Sequence, residues 1–227
     1  MPSLISVNSQ EIKNIGIASY VSPHPQITYI GTTVFNNSES VLDLDWRLNE
    51  RITETVEACL VTEGLNPVII DTKEFDEEAT SEMISYEDGR WFFSNQNKVK
   101  ALKEAYDIDA VVIVDQFKSC VIQPCEINQA EGYGLFVRSA FGFKAFYATH
   151  HFSPVTYYLN QPGWHGNLVG FIQGASPFST QLEDFEEPED YNNISEDEMS
   201  KVEIAVENYI DFMGKAVCSS IMPKVGS

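Results

Sequence analysis

The stretch Asp109–Phe117, DAVVIVDQF, constrains the fold of this chain more than any other. Five consecutive apolar residues, Ala110 to Val114, lie between two aspartates, and four of them are β-branched. β-Branched side chains suit a pleated sheet, and an unbroken apolar run leaves neither face of the strand for water. Such a strand belongs inside a sheet covered on both sides. The expected fold is therefore α/β, with some α+β character and a mixed sheet.

The rest of the chain supplies neighbours for that strand. Ile12–Val21 and Ile27–Phe35 read as strands on either side of Ser22-Pro23-His24-Pro25, close enough in sequence to form a hairpin around the prolines. A helix is expected over 45–63, capped by Asp43 or Asp45, with Leu48, Ile52, Val56, Cys59 and Leu60 on one stripe. Gly64 ends it and Pro67 keeps it from resuming. Val68–Asp71 then reads as a short strand, so 27–71 has the strand–helix–strand order of a right-handed crossover. Within 73–94 the acidic run EFDEEATSEM suggests a helical turn or two around 77–84. A better helix spans 98–107 and leads into the central strand.

Beyond Phe117 the character changes. The 132–174 region is dense in glycine and aromatics and reads as antiparallel strands at about 135–140, 143–151, 155–159 and 168–173. An acidic loop, 175–194, precedes the closing helix at 195–220. Ser195 and Glu198 form a capping box there, with Ile194 and Met199 as the hydrophobic staple. All 227 residues fit one domain.

Charge narrows the function classes. There are 34 acidic residues against 14 basic ones, a formal net charge of −20, and residues 145–200 hold no Lys or Arg. Such a chain is repelled by phosphate backbones and anionic bilayers, so nucleic acid is not the expected partner. No apolar run reaches the roughly 20 residues of a membrane span. The amino terminus has neither a basic start nor an apolar core, so the sequence as it stands reads as cytoplasmic. With a leader ahead of it, the mature protein would be periplasmic or lipid-anchored. Cys59 and Cys218 fall on apolar helix faces and are expected to be free buried thiols, whereas Cys120 and Cys125 could bridge a turn in an oxidising compartment.

Few patterns carry chemistry. VIID and VIVD place Asp71 and Asp115 at strand ends, and with Asp43 they could hold a Mg²⁺-type ion at the carboxyl edge of a parallel sheet. His150 and His151 are adjacent on a strand and so point to opposite faces. One of the histidines paired with Cys120 or Cys125 would resemble a thiol nucleophile and its base. No motif for a nucleotide, hydrolase or zinc site is present, and no cofactor is expected. Aromatics remain: within 141–152 they occupy both phases of the strand alternation. One set faces the core, while the other needs a loop, solvent or a partner. Phe143, Phe146, Tyr157 and Trp164 are the candidates for an interaction surface.

The segments NIGIASYV, LDWRLNERITETVEACLVTEGL, DAVVIVDQF and VEIAVENYIDFMGKAV together resemble envelope-associated α/β domains. These occur at the amino terminus of TolB, in the curli-secretion lipoprotein and in lipoprotein activators of penicillin-binding proteins. The resemblance lies in element order and covers most of the chain. Asp115 stands where those families commonly have Gly, and no lipobox cysteine is present. It implies a non-catalytic bacterial protein that works through protein contacts. The alternatives are a metal-dependent hydrolase or phosphoryl-transfer enzyme at the strand-end carboxylates, and a small-ligand binder between the aromatic strands and the last helix.

Overall fold

A computed structural model describes residues 12–72, 84–87, 90–93, 96–159, 167–168, 178–191 and 193–221. In chain order, β1 (Asn14–Tyr20), β2 (Gln26–Ile30) and β3 (Ser38–Val41) precede α1 (Leu48–Thr62) and β4 (Asn66–Ile69). A hairpin of β5 (Ile84–Glu87) and β6 (Arg90–Phe93) follows, then α2 (Gln96–Tyr106), β7 (Ala110–Gln116) and β8 (Lys118–Cys120). The long strands β9 (Gln129–Ala140) and β10 (Phe143–Tyr158) come next. Short strands β11 (Asn167–Leu168) and β12 (Ser179–Gln181) lead to α3 (Glu196–Ile221). The fold is α/β with one large mixed sheet, as the central strand implied.

That strand, β7, is buried from Ala110 to Val114 and lies between parallel β1 and antiparallel β10. Strand β10 is the spine of the sheet. Its second half, Phe152–Tyr158, pairs with β7, and its first half, Phe143–His151, pairs with β9. At the junction Phe117 donates its N–H to the His151 carbonyl (2.9 Å) and accepts from Gly132 (3.4 Å). The row begun by β7 is thereby continued by β9, after an excursion over 118–131. One row further out, β1 along β7 is continued by β2 along β9, both parallel. The sheet thus consists of two halves laid end to end. One has the order β4-β1-β7-β10 and the other β3-β2-β9-β10.

Two expectations change as a result. β1 and β2 do not form a hairpin, because the link between them runs on without reversing. Val21 N–H and C=O are held by the Asn49 side chain (3.1 and 2.8 Å), and Ser22 N–H by Gln116 Oε1 (2.9 Å). Neighbouring side chains take the donors that a turn would have used. The crossover also has a different first strand: β4 pairs in parallel with β1, not β2. A third revision is that the two expected strands 143–151 and 155–159 are one, since the β10–β7 ladder runs unbroken through Ser153-Pro154. The helical turns expected at 77–84 fall largely outside the described residues, as does the expected strand over 168–173 beyond Leu168.

Helices α1 and α3 cover one face of the sheet, over Ile15, Ile17, Val112, Val114, Leu135, Val137 and Phe152. On the opposite face, Leu102 of α2 and Ile108 pack on Ala18, Val111, Ile113 and Tyr157. Under the other half of the sheet, Val121 and Ala130 of the excursion close over Ile30 and Phe136. α1 starts at Leu48, after Arg47 in the left-handed region (φ 51°), whose N–H is held by Asp45 Oδ1 at 2.8 Å. Asp45 therefore organises the turn before the helix without capping it. In α3 the Ser195 hydroxyl accepts the Glu198 N–H (3.3 Å), but the Glu198 carboxylate turns to Glu186 N–H (2.8 Å) and Lys201 (2.6 Å). Half of the expected capping box forms; the other half ties the acidic loop to the helix.

The expectation of free thiols at Cys59 and Cys218 is overturned. They form a disulfide joining α1 to α3, with Cα atoms 6.2 Å apart. Both lie where the two helices face each other, within the span a disulfide bridges. Cys120 and Cys125 form a second disulfide (Cα–Cα 4.9 Å) inside the 118–131 excursion.

Candidate interaction surface

The strand-end carboxylates are brought to one edge, as parallel pairing requires. β4, β1 and β7 run side by side, and Asp71 and Asp115 both act on Tyr20 at the end of β1. Burial, then the charge of Asp115, then Tyr106 and Asp71, raise the Tyr20 phenol well above its ordinary pKa. In an open α/β sheet this edge would border a crevice. Here the rows continue past that edge as β2 and β9, and Asp71 and Asp115 themselves stay exposed. Among the described residues, no group of three or more His, Cys, Asp or Glu is placed to hold a metal, and Asp43 completes no such set.

The histidines separate in the same way. His150 stacks on Tyr209 beneath α3 (centroids 4.2 Å apart), while His151 stacks on Phe117 (5.9 Å) and donates Nδ1–H to the Ala130 carbonyl (2.8 Å). Burial is the largest cause of a lowered pKa at both, and His150 falls to about 3. His24 Nδ1 meets the Leu44 carbonyl at 3.1 Å. Both sulfurs of Cys120 and Cys125 are consumed in a disulfide, which leaves neither as a nucleophile. His165 lies outside the described residues. A cleft of about 340 Å³ opens between α1 and α3, lined by Arg51, Glu54, Thr55, Glu207, Ile210 and Asp211. Its lining is charged, and Arg51 is already engaged by Glu203 (2.9 Å) and Glu207. It is not the apolar pocket that a small-ligand binder would use.

Of the four aromatic candidates, the structure exposes one. Phe143 is 81% accessible. Phe146 is buried, because the acidic loop lays Phe185 on it at 4.7 Å and Leu182 N–H bonds to its carbonyl at 2.9 Å. Tyr157 is buried too, in the core under α2. Both must be withdrawn as surface residues: one phase of β10 meets the acidic loop and helix α3, and the other meets α2. Trp164 lies outside the described residues.

Phe143 has companions beyond the four candidates. Phe35 is 93% exposed, Phe141 87% and Val34 73%. The first and last of these sit on the loop after β2, and Phe141 on the two-residue turn between β9 and β10. Because β2 and β9 are parallel, with Ile30 opposite Arg138, the two loops emerge at the same end of the sheet. Arg138 clamps them together, its guanidinium donating to the carbonyls of Ile30 (3.1 Å), Gly31 (2.8 Å) and Ser139 (2.6 Å). The loop 31–37 is itself folded: Asn37 Oδ1 accepts the Gly31 N–H (3.0 Å), and Asn36 N–H bonds to the Thr33 carbonyl (3.0 Å). Two ordered loops and the first residue of β10 thus expose four apolar side chains at one end of the sheet.

The turn itself is unusual. Phe141 (φ 51°) and Gly142 (φ 83°) are both in the left-handed region that a tight hairpin turn demands. Asn, Asp or Gly fills the first position easily, whereas a bulky aromatic there is an outlier. The turn keeps a strained, exposed Phe where a polar residue would relieve both problems, and such outliers concentrate where a side chain has work outside the fold.

Charge sets the tip apart as well. In a chain of net charge −20, residues 31–38 and 139–143 contain no charged side chain. On its shoulder Lys144 pairs with Glu187 and lies over the rings of Tyr29 (5.9 Å) and Tyr191 (5.8 Å). The hydrogen bond that Lys144 donates to the Glu187 carboxylate is the main reason its pKa is raised. This contact holds the acidic loop beside the tip. The signal for the tip was present in the sequence, in Phe-Gly-Phe between two strands and Val-Phe before Asn-Asn. Only the pairing of β2 with β9 brings those two segments together. No protein-family model, curated protein or solved structure matches this chain.

Proposed function

We propose that this chain is a non-enzymatic bacterial contact domain that docks on a protein partner through the tip formed by Val34, Phe35, Phe141 and Phe143. One observation carries the proposal: an exposed Phe141 held at positive φ, at the same uncharged end of the sheet as the exposed Val34, Phe35 and Phe143, on an otherwise acidic protein. Side chains of this kind, once desolvated against a partner, are the anchors from which interfaces draw most of their energy. The order of elements resembles the envelope-associated domains of TolB and of lipoproteins that act in assemblies. Two disulfides favour an oxidising compartment, which fits the cell envelope.

Site-specific photo-crosslinking tests this. A photoreactive residue at Phe35 or Phe143 should give discrete adducts in cells, while one at exposed Glu104 on α2 should not. Equal labelling at all three positions would remove the tip as the docking surface.

A second proposal, favoured by the shared action of Asp71 and Asp115 on Tyr20, is a divalent-cation site at that edge. It requires Mg²⁺ or Mn²⁺ to raise thermal stability and Asp115→Asn to abolish the rise. No rise with either cation would remove it.

A further inference from the structure

We infer that the partner of the apolar tip is a second copy of this chain, docked tip to tip across a two-fold axis. The inference rests on the tip being a docking surface and adds what occupies it.

Three features single out a second copy. The first is charge. Two molecules of net charge −20 repel each other over most of their surfaces, and the uncharged loops 31–38 and 139–143 are where they can approach at least cost. Contact at the tips also keeps most of the acidic surface apart. The second is the character of the patch. Its large exposed side chains, Val34, Phe35, Phe141 and Phe143, are apolar, and the exposed Thr32, Thr33, Asn36, Asn37 and Ser38 around them are uncharged, so the same surface serves on both sides of a two-fold axis with no buried charge to match. The third is area. Three Phe side chains, 81–93% exposed, offer roughly 400–650 Å² at about 150–250 Å² each. With Val34 this comes to roughly 600 Å² per copy and about 1,200 Å² in total, the lower limit for a specific interface. An interface at this lower limit is of the size found in transient complexes.

The charge distribution gives the dimer an unusual salt response. The acidic loop docked beside the tip, held there by Lys144–Glu187, brings like charges to the rim of the contact. Added salt screens that repulsion and should strengthen the dimer, the reverse of an interface held by ion pairs.

Sedimentation equilibrium of the full chain, across protein concentration and in low and high salt, tests the inference. The parent should pass from monomer to dimer with concentration, with the dimer constant at least several-fold tighter in high salt. The double variant Phe35→Ser/Phe141→Asn should remain monomeric throughout, with a melting temperature at or above the parent's, since neither side chain is buried. A parent that stays monomeric in high salt overturns the second copy; if the Phe35 and Phe143 crosslinks still form, the docking proposal survives. A dimer insensitive to the double variant, or weakened by salt, places the contact elsewhere and overturns it too. So does monomeric parent that co-sediments with phosphatidylcholine vesicles while the variant does not, because the occupant would then be a lipid surface.

Discussion

Phe141 is placed against its own backbone preference, and that has a measurable consequence. For a bulky L-residue the left-handed region costs about 1–2 kcal/mol, whereas Asn tolerates it. Phe141→Asn should therefore raise stability in urea unfolding by about 1 kcal/mol, and a loss of stability would show that the ring packs on its own fold. Gly134 is the opposite case. With φ 140°, a Cβ there would lie 2.0 Å from the Gln26 carbonyl oxygen. Gly134→Ala must push β2 off β9, at a cost of about 3 kcal/mol or more, and an unchanged melting temperature would refute this. His150 links residue to pH. Its folded pKa of about 3 lies below the ordinary 6.5, through burial first and the neighbouring His151 second. The unfolded chain therefore takes up a proton that the folded one refuses. The stability from keeping His150 neutral is complete above pH 6.5 and is lost as pH falls towards 3, by up to about 1.4 kcal/mol per pH unit. His150→Phe should flatten this acid limb, as read by urea unfolding at several pH values. A limb of unchanged slope would assign the loss to other groups.

Among the elements, the 118–131 excursion and helix α3 are held by different devices. The excursion is a flap whose Val121 and Ala130 close over Phe136 and Ile30. Its disulfide, Cys120–Cys125, spans only 5 residues, so it restrains the flap and little of the unfolded chain. Cys120→Ser/Cys125→Ser should speed hydrogen exchange in 118–131 while leaving the protection of β1 and β7 unchanged. Loss of protection throughout would mean that the flap is needed for the whole sheet. By contrast, Cys59–Cys218 closes a separation of 159 residues between α1 and α3. Chain entropy alone gives such a link about 5 kcal/mol, a large part of the stability of a domain of this size. Cys59→Ala/Cys218→Ala should lower the melting temperature steeply, whereas a fall no larger than for the excursion variant would count against this.

Across the whole molecule, the acidic charge and the apolar tip act together. A net charge of −20 keeps most of the surface from associating, and the uncharged tip is the exception. The acidic loop also has a packing role: Phe185 covers Phe146, Glu187 holds Lys144, and Glu186 binds the first turn of α3 through Glu198. It was expected as a charged stretch ahead of a helix. Its apolar residues, spaced among the acids, turn it into a strap along the sheet.

Wherever local pattern determines structure, the sequence sufficed. The unbroken run Ala110–Val114 required a doubly covered strand, the stripe Leu48, Ile52, Val56 and Leu60 required α1, and Ser195 with its staple began α3. These depend on periodicity and capping, which act over a few residues. Pairing between distant strands was beyond its reach, since apolar alternation says which face a residue takes and not which strand lies beside it. That is why β1 and β2 were expected to pair with each other, and why Phe146 and Tyr157 were expected at the surface when their covers come from the acidic loop and α2. Strand β7 is central, as its apolar run implied, but only the tertiary structure shows that its row continues as β9 beyond Asp115. The same continuation carries β9 alongside β2 to the far end of the sheet, so that the loops bearing Phe35, Phe141 and Phe143 emerge at one end.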